Sequence, residues 1–480
     1  MVILKARTPV SDVGASFVAL HTHPTMPLSV RLCTFALLAA VVFGSAPAVA
    51  QPHPDDATVS PPTETAPTGA SPWAERLNDR IEAVMPDVID WRRDIHQHPE
   101  LSNRETRTAA LVAEHLRSLN IEVETNVAHT GVVGVLRGGT PGPVVGLRAD
   151  MDALPVRERT DVPFASTATG TYNGETVPVM HACGHDTHVA MLMGAAEALA
   201  SIRDELPGTI KFLFQPAEEG APQGEEGGAD LMVAEGALQD PDVDVVFGLH
   251  IHSKTEVGTI NYRPGSIMAA SDVFRITVKG TQTHGSTPWE GTDPVVTAAQ
   301  IVNGLQTVVS RRTELTKEAA VVSVGKIEGG VRSNIIPEEV RMVGTIRTLD
   351  TEMQDRVHEE IRRTATHIAE SMGATAEVEI DRGYPVTAND PALTEQMAPT
   401  LHRVADTTQV INPITGAEDF SYFAREVPGL YVFVGGMPRG MDPSDAAPHH
   451  TPDFYIDEDG LPYGVRTLTH LAADYLAAQQ

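Results

Sequence analysis

Residues 180–188 read MHACGHDTH, setting one thiol (Cys183) among three imidazoles (His181, His185, His188) and a carboxylate (Asp186). Four other short segments are rich in donor atoms: Arg148-Ala149-Asp150-Met151-Asp152, Gln215-Pro216-Ala217-Glu218-Glu219, Gly248-Leu249-His250-Ile251-His252 and His449-His450-Thr451-Pro452. Cys183 and His185 are two residues apart, so an extended loop can aim both one way, and the intervening glycine lets the backbone come close. A mixed sulfur, nitrogen and oxygen set suits zinc or another late divalent ion, whereas a structural zinc site would draw on more thiolates. With carboxylates to spare, such a site points to catalysis. Each segment alone is ordinary polar sequence, and Glu225 and Glu226 read as solvated surface. It is the convergence of five segments that points to a metal centre.

The adjacent pair Glu218 and Glu219 has a specific use. One carboxylate can hold a metal while its neighbour takes a proton from water and returns it to a leaving amine. A divalent ion lowers the pKa of water from about 15.7 to about 7, so that proton is available at neutral pH.

These residues need a scaffold, and three of the five segments directly end predicted strands, where α/β sheets place their ligands. Amphipathic patterning predicts two helices between 74 and 119, strands over 121–125, 131–136, 143–149, 210–215 and 243–250, and a helix over 189–200. Strands alternating with helices predict an α/β domain with a largely parallel or mixed sheet. From 271 to 381 the pattern changes. Strands over 272–278, 321–327, 340–347 and 376–380, with helices over 293–312 and 351–372, give the order β-α-β-β-α-β. That order is ferredoxin-like and predicts an inserted, lid-like unit. The α/β pattern then resumes, with helices over 391–405, 417–425 and from 461, and a strand over 430–434. The predicted organisation is a catalytic domain in two parts, 74–270 and 382–480, interrupted by a lid at 271–381.

LRADMDALP, MHACGHDTH, FQPAEE, NIIP, GTIRT, GAEDF and HTPDF follow one another in this order. The series resembles the M20 metallopeptidase superfamily, in the amidohydrolase branch that includes hippurate, N-acyl-amino-acid and indole-acetyl-amino-acid hydrolases. The resemblance runs from about Trp91 (WRRDIHQHPEL) to the C-terminal helix. It implies a zinc-peptidase-like α/β catalytic domain with a mixed central sheet, an inserted ferredoxin-like lid, and two divalent ions (Zn, Mn, Co or Ni) per subunit. Carried over position by position, it implies Cys183, His185, Glu219, His250 and His450 as metal ligands, Glu218 as general base and acid, and Asp152 as the carboxylate that orients the metal site. Other branches have a histidine ligand in the place of Asp150. His252 and His449 adjoin matched positions without matching, and read as outlying or solvent-facing; His181 and His188 read as non-ligands.

In the lid, VKGTQTHGSTPWEGTDP resembles the segment whose histidine reaches the substrate. This implies His284 as a donor to the developing oxyanion, and Asn334 as a second substrate contact. Lids of this family often dimerise, so a homodimer or tetramer is implied. The implied reaction is hydrolysis of an N-acyl amino acid or related small amide. A dipeptidase or carboxypeptidase would share the metal site, whereas a non-catalytic binder of small ligands would have no use for Glu218. Two features depart from the family pattern: the loop GAPQGEEGG at 220–228 is longer than the usual GxxGG, and Trp289 is unusual in its loop. Both fall where the mouth of a pocket would be shaped.

The chain has 480 residues, 41% hydrophobic and 21% charged, which suits a soluble protein of two or three domains. Its net charge of −29 argues against nucleic acid as a partner. From Met26, an alternative start, MPLSVRLCTFALLAAVVFGSAPAVA joins Arg31 to an apolar run over 32–43 and ends in Ala48-Val49-Ala50. That predicts a signal peptide over 1–50 cleaved near Ala50, a flexible Pro/Thr-rich leader over 51–73, and export to the periplasm or exterior. The apolar run is about half of the ~20 residues that a span requires, so no membrane span is expected after cleavage. Cys33 would leave with the signal, making Cys183 the only thiol of the mature chain and excluding an internal disulfide.

Overall fold

The computed structural model describes residues 69–480; the predicted signal peptide and most of the leader lie outside the described residues. An eight-stranded mixed sheet forms the centre, in the order Glu122–Val127, Gly131–Arg137, Pro207–Gln215, Thr140–Asp150, Val245–Glu256, Gly429–Met437, Thr259–Tyr262, Thr407–Val410. The four strands from Pro207–Gln215 to Gly429–Met437 are mutually parallel, so their carboxyl ends open on one edge. Their buried, nearly unbroken apolar runs (Val144 to Ala149, Ile210 to Phe214) are what a sheet covered on both faces demands.

Helices Ala74–Gln97, His185–Ala200 and Leu461–Ala478 cover one face through a large core that includes Leu147, Val189, Met193, Phe247 and Leu468. Leu77, Ile81, Val84, Val88 and Ile95 fall on one stripe of the first helix, which is why it lies flat on that core. Short helices Gly228–Ala234 and Phe420–Glu426 cover the other face around Met232, Phe420, Phe423 and Tyr431. Strand bounds lie close to the sequence expectations. The helix after Cys183 begins at His185, four residues earlier than its apolar pattern suggests, because Gly184 turns the chain at its start.

Between Ala270 and Arg382 the chain builds a second, antiparallel sheet in the order Ala320–Gly329, Glu339–Thr348, Ala270–Lys279, Thr375–Arg382. Helices Pro294–Thr307 and Thr351–Ser371 pack on it around Phe274, Ile276, Ile301, Val357 and Ile361, a core of its own. Both helices start on aspartate caps, Asp293 and Asp350, which accept hydrogen bonds from main-chain N–H groups of the first turn. The chain enters and leaves this sheet on neighbouring strands, with Asp272 opposite Arg382. Buried Asp272 ties the crossing together, accepting from Gln354 Nε2 (2.9 Å), His358 Nε2 (2.7 Å) and Gly383 N (3.2 Å). Among the described residues no helix is long and apolar enough to cross a membrane.

Candidate metal centre and active site

The donor segments meet at the carboxyl edge of the parallel strands. Gly184, with φ of 105°, brings the chain within reach of the sheet; a Cβ there would stand 2.4 Å from Ile251 Cγ2. Cys183 Sγ consequently lies 3.3 Å from His250 Nε2 and 3.3 Å from His450 Nε2. His450, itself at a positive φ of 63°, places Nε2 3.0 Å from Glu219 Oε1. The donor atoms of Cys183, His185 and His250 lie within 4.8 Å of one another, as do those of Cys183, Glu219 and His450, and those of His185, Glu218 and Glu219. All five residues expected as ligands are thus brought together, with Glu218 beside them.

The imidazoles are oriented as metal ligands require. His185 Nδ1 donates to Asp152 O (2.9 Å), with Asp152 Oδ1 also close (3.2 Å), leaving a buried Nε2 with no hydrogen-bond partner among the described residues. His250 Nδ1 likewise donates to Ile251 O, leaving Nε2 toward Cys183. A carbonyl or carboxylate behind one ring nitrogen, with the other aimed inward, is the arrangement that fixes a ligating tautomer.

Asp152 organises this. Its Oδ1 also accepts Glu218 N (3.1 Å), and its Oδ2 accepts Ser102 Oγ (2.7 Å) and Glu219 N (3.0 Å). The peptide of Glu218 is held on its other side too, by Tyr384 OH donating to Glu218 O at 2.6 Å. Ala217, at a positive φ of 54°, turns the chain so that both glutamates follow; its N–H is accepted by buried Glu105 Oε1 at 2.9 Å.

The other polar residues here are occupied. Asp150 accepts from His188 Nδ1 (2.6 Å) on one oxygen and from Arg148 Nη1 (2.7 Å) on the other. His188 Nε2 accepts Ile251 N (2.8 Å), so both its nitrogens are used. His449 donates from Nδ1 to Cys183 O (3.0 Å) and accepts Ser253 N on Nε2 (3.1 Å), while His252 stacks on it. Buried His181 has no hydrogen-bond partner on either nitrogen among the described residues, and burial pushes it down to about 3.

Beneath Glu218 lies a network that sequence reasoning missed. Arg148, wholly buried, holds Asp150, Glu418 and Asp419, each oxygen 2.7–2.8 Å from its guanidinium, and its Nε donates to Gln215 Oε1 (2.7 Å). Glu418 and Asp419 belong to GAEDF, so a charged pair inside an otherwise apolar motif was the available signal. Donor atoms of Glu218, Glu418 and Asp419 lie within 4.8 Å of one another.

Negative charge is in surplus here. Burial, then the carboxylates of Glu418, Glu219 and Asp419, hold the Glu218 carboxyl well above the usual range. Burial, then Glu219, Glu218 and Asp150, push the Cys183 thiol up. Burial opposes protonation of His185, but Asp150 and Asp152 outweigh it and raise that imidazole to about 10. Six buried or half-buried carboxylates around a single guanidinium, with inward-facing imidazole nitrogens and a thiol, form a donor set that divalent cations would balance. The residues present therefore fit the expected pair of metal ions.

A cavity of about 290 Å³ opens on the cluster, lined by Cys183, Glu218, Glu219, His250, Tyr384 and His450 among others. His284 and Asn334 do not line it. They sit together where strand Thr283–His284 pairs with Ile335–Ile336: Gly285 N donates to Asn334 O at 2.9 Å, and exposed His284 accepts Ser286 N on Nδ1 at 3.0 Å.

Residues 146–474 match peptidase family M20/M25/M40. Thermostable carboxypeptidase 2 of Saccharolobus solfataricus is 41% identical over 403 residues, 84% of this chain and 98% of the relative. N-acetyl-L-cysteine deacetylase of Bacillus subtilis is 37% identical over 383 residues, 79% of this chain and 86% of the relative. Among solved structures, a dinuclear metal-binding peptidase of the M20 family from Bacillus subtilis superposes with a TM-score of 0.70 at 34% identity, covering 82% of this chain and 99% of that one.

Proposed function

The chain belongs to peptidase family M20/M25/M40, and on that premise we propose that it hydrolyses the amide bond of N-acyl amino acids or related small amides, with Glu218 as general base and acid. It is a metal-dependent amide hydrolase with a site for two divalent ions, and we assign their ligands to Cys183, His185, Glu219, His250 and His450. Divalent ions held by these residues would polarise the amide carbonyl and make water a nucleophile at neutral pH. Glu218 takes the proton of the attacking water on its carboxylate and returns it to the leaving nitrogen. Burial and then the neighbouring carboxylates raise its proton affinity, which suits the step in which it carries a proton to the leaving nitrogen. Asp152 keeps His185 in the ligating tautomer and aims the Glu218-Glu219 peptide. We assign His284 to the oxyanion and Asn334 to the substrate, reaching the cavity by movement of the segment 271–381 or from a partner subunit. An exposed edge strand, Ala320–Gly329, carrying Val321 and Ile327, supports assembly through that segment, which light scattering would check.

The observation that carries the reading is Glu218: a buried carboxylate beside the donor cluster, its peptide held from both sides. Glu218→Gln should lose about 100- to 10,000-fold in rate while keeping its metal content. Unchanged turnover by the metal-loaded variant would sink the assignment. The relative named as a carboxypeptidase favours a second reading, cleavage of dipeptides or peptide C-termini at the same centre. N-acetyl and N-benzoyl amino acids assayed beside dipeptides separate the two. Export with cleavage after Ala50 belongs to this reading, and N-terminal sequencing of the secreted protein tests it.

A further inference from the structure

Ala217 turns the chain into the two glutamates of the site, and its backbone is strained: φ is 54°, left-handed for a residue whose Cβ is buried. Such a turn persists only where its surroundings over-determine it. Here three successive main-chain N–H groups are captured by buried carboxylates. Asp152 takes those of Glu218 and Glu219, and Glu105 Oε1 takes that of Ala217 at 2.9 Å. The Ala217 carbonyl accepts Gly220 N at 3.2 Å.

The helix that Glu105 begins does not require a glutamate there. Glu105 is the N-cap residue of helix Thr106–Ser118, a position that favours Ser, Thr, Asp or Asn, and its side chain makes no capping bond. Fully buried, it reaches instead to Ala217, 112 residues along the chain. Its other oxygen accepts Thr130 Oγ1 at 2.5 Å. Thr130 follows a second strained turn, with Ala128 at φ of 49° and His129 at 77°. That turn abuts Pro216, since a Cβ on Gly131 would stand 3.1 Å from Pro216 Cδ. One carboxylate thus fastens the Pro216-Ala217 turn both to the start of a helix and to a turn between strands. Burial, then the Asp152 carboxylate, raise Glu105 to about 7. Protonated or not, it keeps an oxygen lone pair for the Ala217 N–H. Glu105 is not among the residues lining the cavity that opens on the cluster, so it acts through its neighbours.

We propose that Glu105 is a positioning residue for proton transfer: through the Ala217 N–H it sets the turn that aims Glu218, and it does so by reach rather than by charge. The inference rests on the reading of Glu218 as general base.

Glu105→Asp and Glu105→Gln separate reach from charge. Aspartate keeps the charge and suits an N-cap, but it is one methylene too short to hold both Ala217 N–H and Thr130 Oγ1. Glutamine keeps the length, leaving Oε1 to accept from Ala217 and Nε2 to donate to Thr130 Oγ1. Each holoenzyme is assayed at saturating metal, with metal content measured, on whichever N-acyl amino acid or dipeptide the wild type turns over fastest. Glu105→Asp should lose about tenfold to 100-fold in kcat, since a misplacement of about 1 Å can cost about 100-fold. Its KM should change little, because the cavity lining is untouched. Glu105→Gln should stay close to wild type. Thr130→Val, which leaves the Ala217 bond in place, should also keep kcat. Losses in the reverse order would overturn the assignment in favour of charge. Wild-type kcat in Glu105→Asp, a loss confined to KM or thermal stability, or an equal fall in Thr130→Val would overturn it in favour of fold support. The premise fails separately: unchanged turnover in metal-loaded Glu218→Gln removes the base and the role of Glu105 with it. Loss in Glu218→Gln beside wild-type kcat in Glu105→Asp removes only the latter.

Discussion

Replacing Asp152 by asparagine keeps the shape of the side chain and removes one acceptor oxygen. The carboxylate is buried and serves four donors: His185 Nδ1 and Glu218 N on Oδ1, Ser102 Oγ and Glu219 N on Oδ2. If the new amide nitrogen faces Ser102, the hydroxyl can turn and accept, but Glu219 N–H then faces another donor. In the opposite rotamer the conflict falls on Glu218 N–H and His185. Either way one buried main-chain N–H loses its acceptor, which costs about 1–3 kcal/mol. His185 keeps its bond to the main-chain Asp152 O at 2.9 Å, so the first rotamer preserves the ligating tautomer and concentrates the damage on the glutamate peptide. D152N should therefore lower metal-free stability by about 1–3 kcal/mol and metal affinity by about 10- to 100-fold. At saturating metal, kcat should still fall, because the base is no longer aimed. Urea unfolding of the metal-free protein, metal titration and turnover at saturating metal read the three effects. Wild-type values for both stability and metal affinity would refute the role given to this carboxylate.

Arg148→Met leaves Asp150, Glu418 and Asp419 buried without their common cation, which should cost about 3–5 kcal/mol and shift the urea midpoint accordingly. Gly184→Ala must hold a positive φ, at about 1–2 kcal/mol, and drive a methyl into Ile251, so metal titration should show weakened binding through displaced Cys183 and His185. Burial pushes the Asp272 carboxyl up, but His358 and Gln354 outweigh it and hold it below the usual range. The stability it contributes is therefore complete above its unfolded value of about 3.9 and is lost as the pH falls through its folded value. Asp272→Asn should lower the Tm at pH 7 and flatten its acid decline, and a decline unchanged from wild type would contradict this.

The strands and the donor segments were legible because buried parallel strands write continuous apolar runs and end in polar residues. Glu218 and Glu219 stand just past such an end and His250 within one, whereas Cys183 and His185 stand at the start of the helix His185–Ala200. What pattern alone could not separate was neighbours of the same type. His449 and His450 are adjacent, and only the backbone turn at His450, together with the two partners that occupy His449, distinguishes them. Asp150 likewise became readable once Arg148 and His188 were seen to claim both its oxygens. The Arg148 network stayed hidden because its members are up to 271 residues apart in sequence, and pairing over that distance leaves no local periodicity. The hairpin at 169–178 was missed for the opposite reason: its short strands are largely exposed, so they carry no alternation of apolar and polar residues.

The return crossing from the four-stranded sheet has a mechanical consequence. Gly383 is fastened to Asp272, and the next residue, Tyr384, is fastened to the carbonyl of Glu218. Successive Cα atoms are only about 3.8 Å apart, so little more than the Tyr384 side chain separates the two fastenings. Displacement of the inserted sheet would therefore pull on the peptide of Glu218. Its position and the readiness of the site for proton transfer are thus two readings of a single linkage.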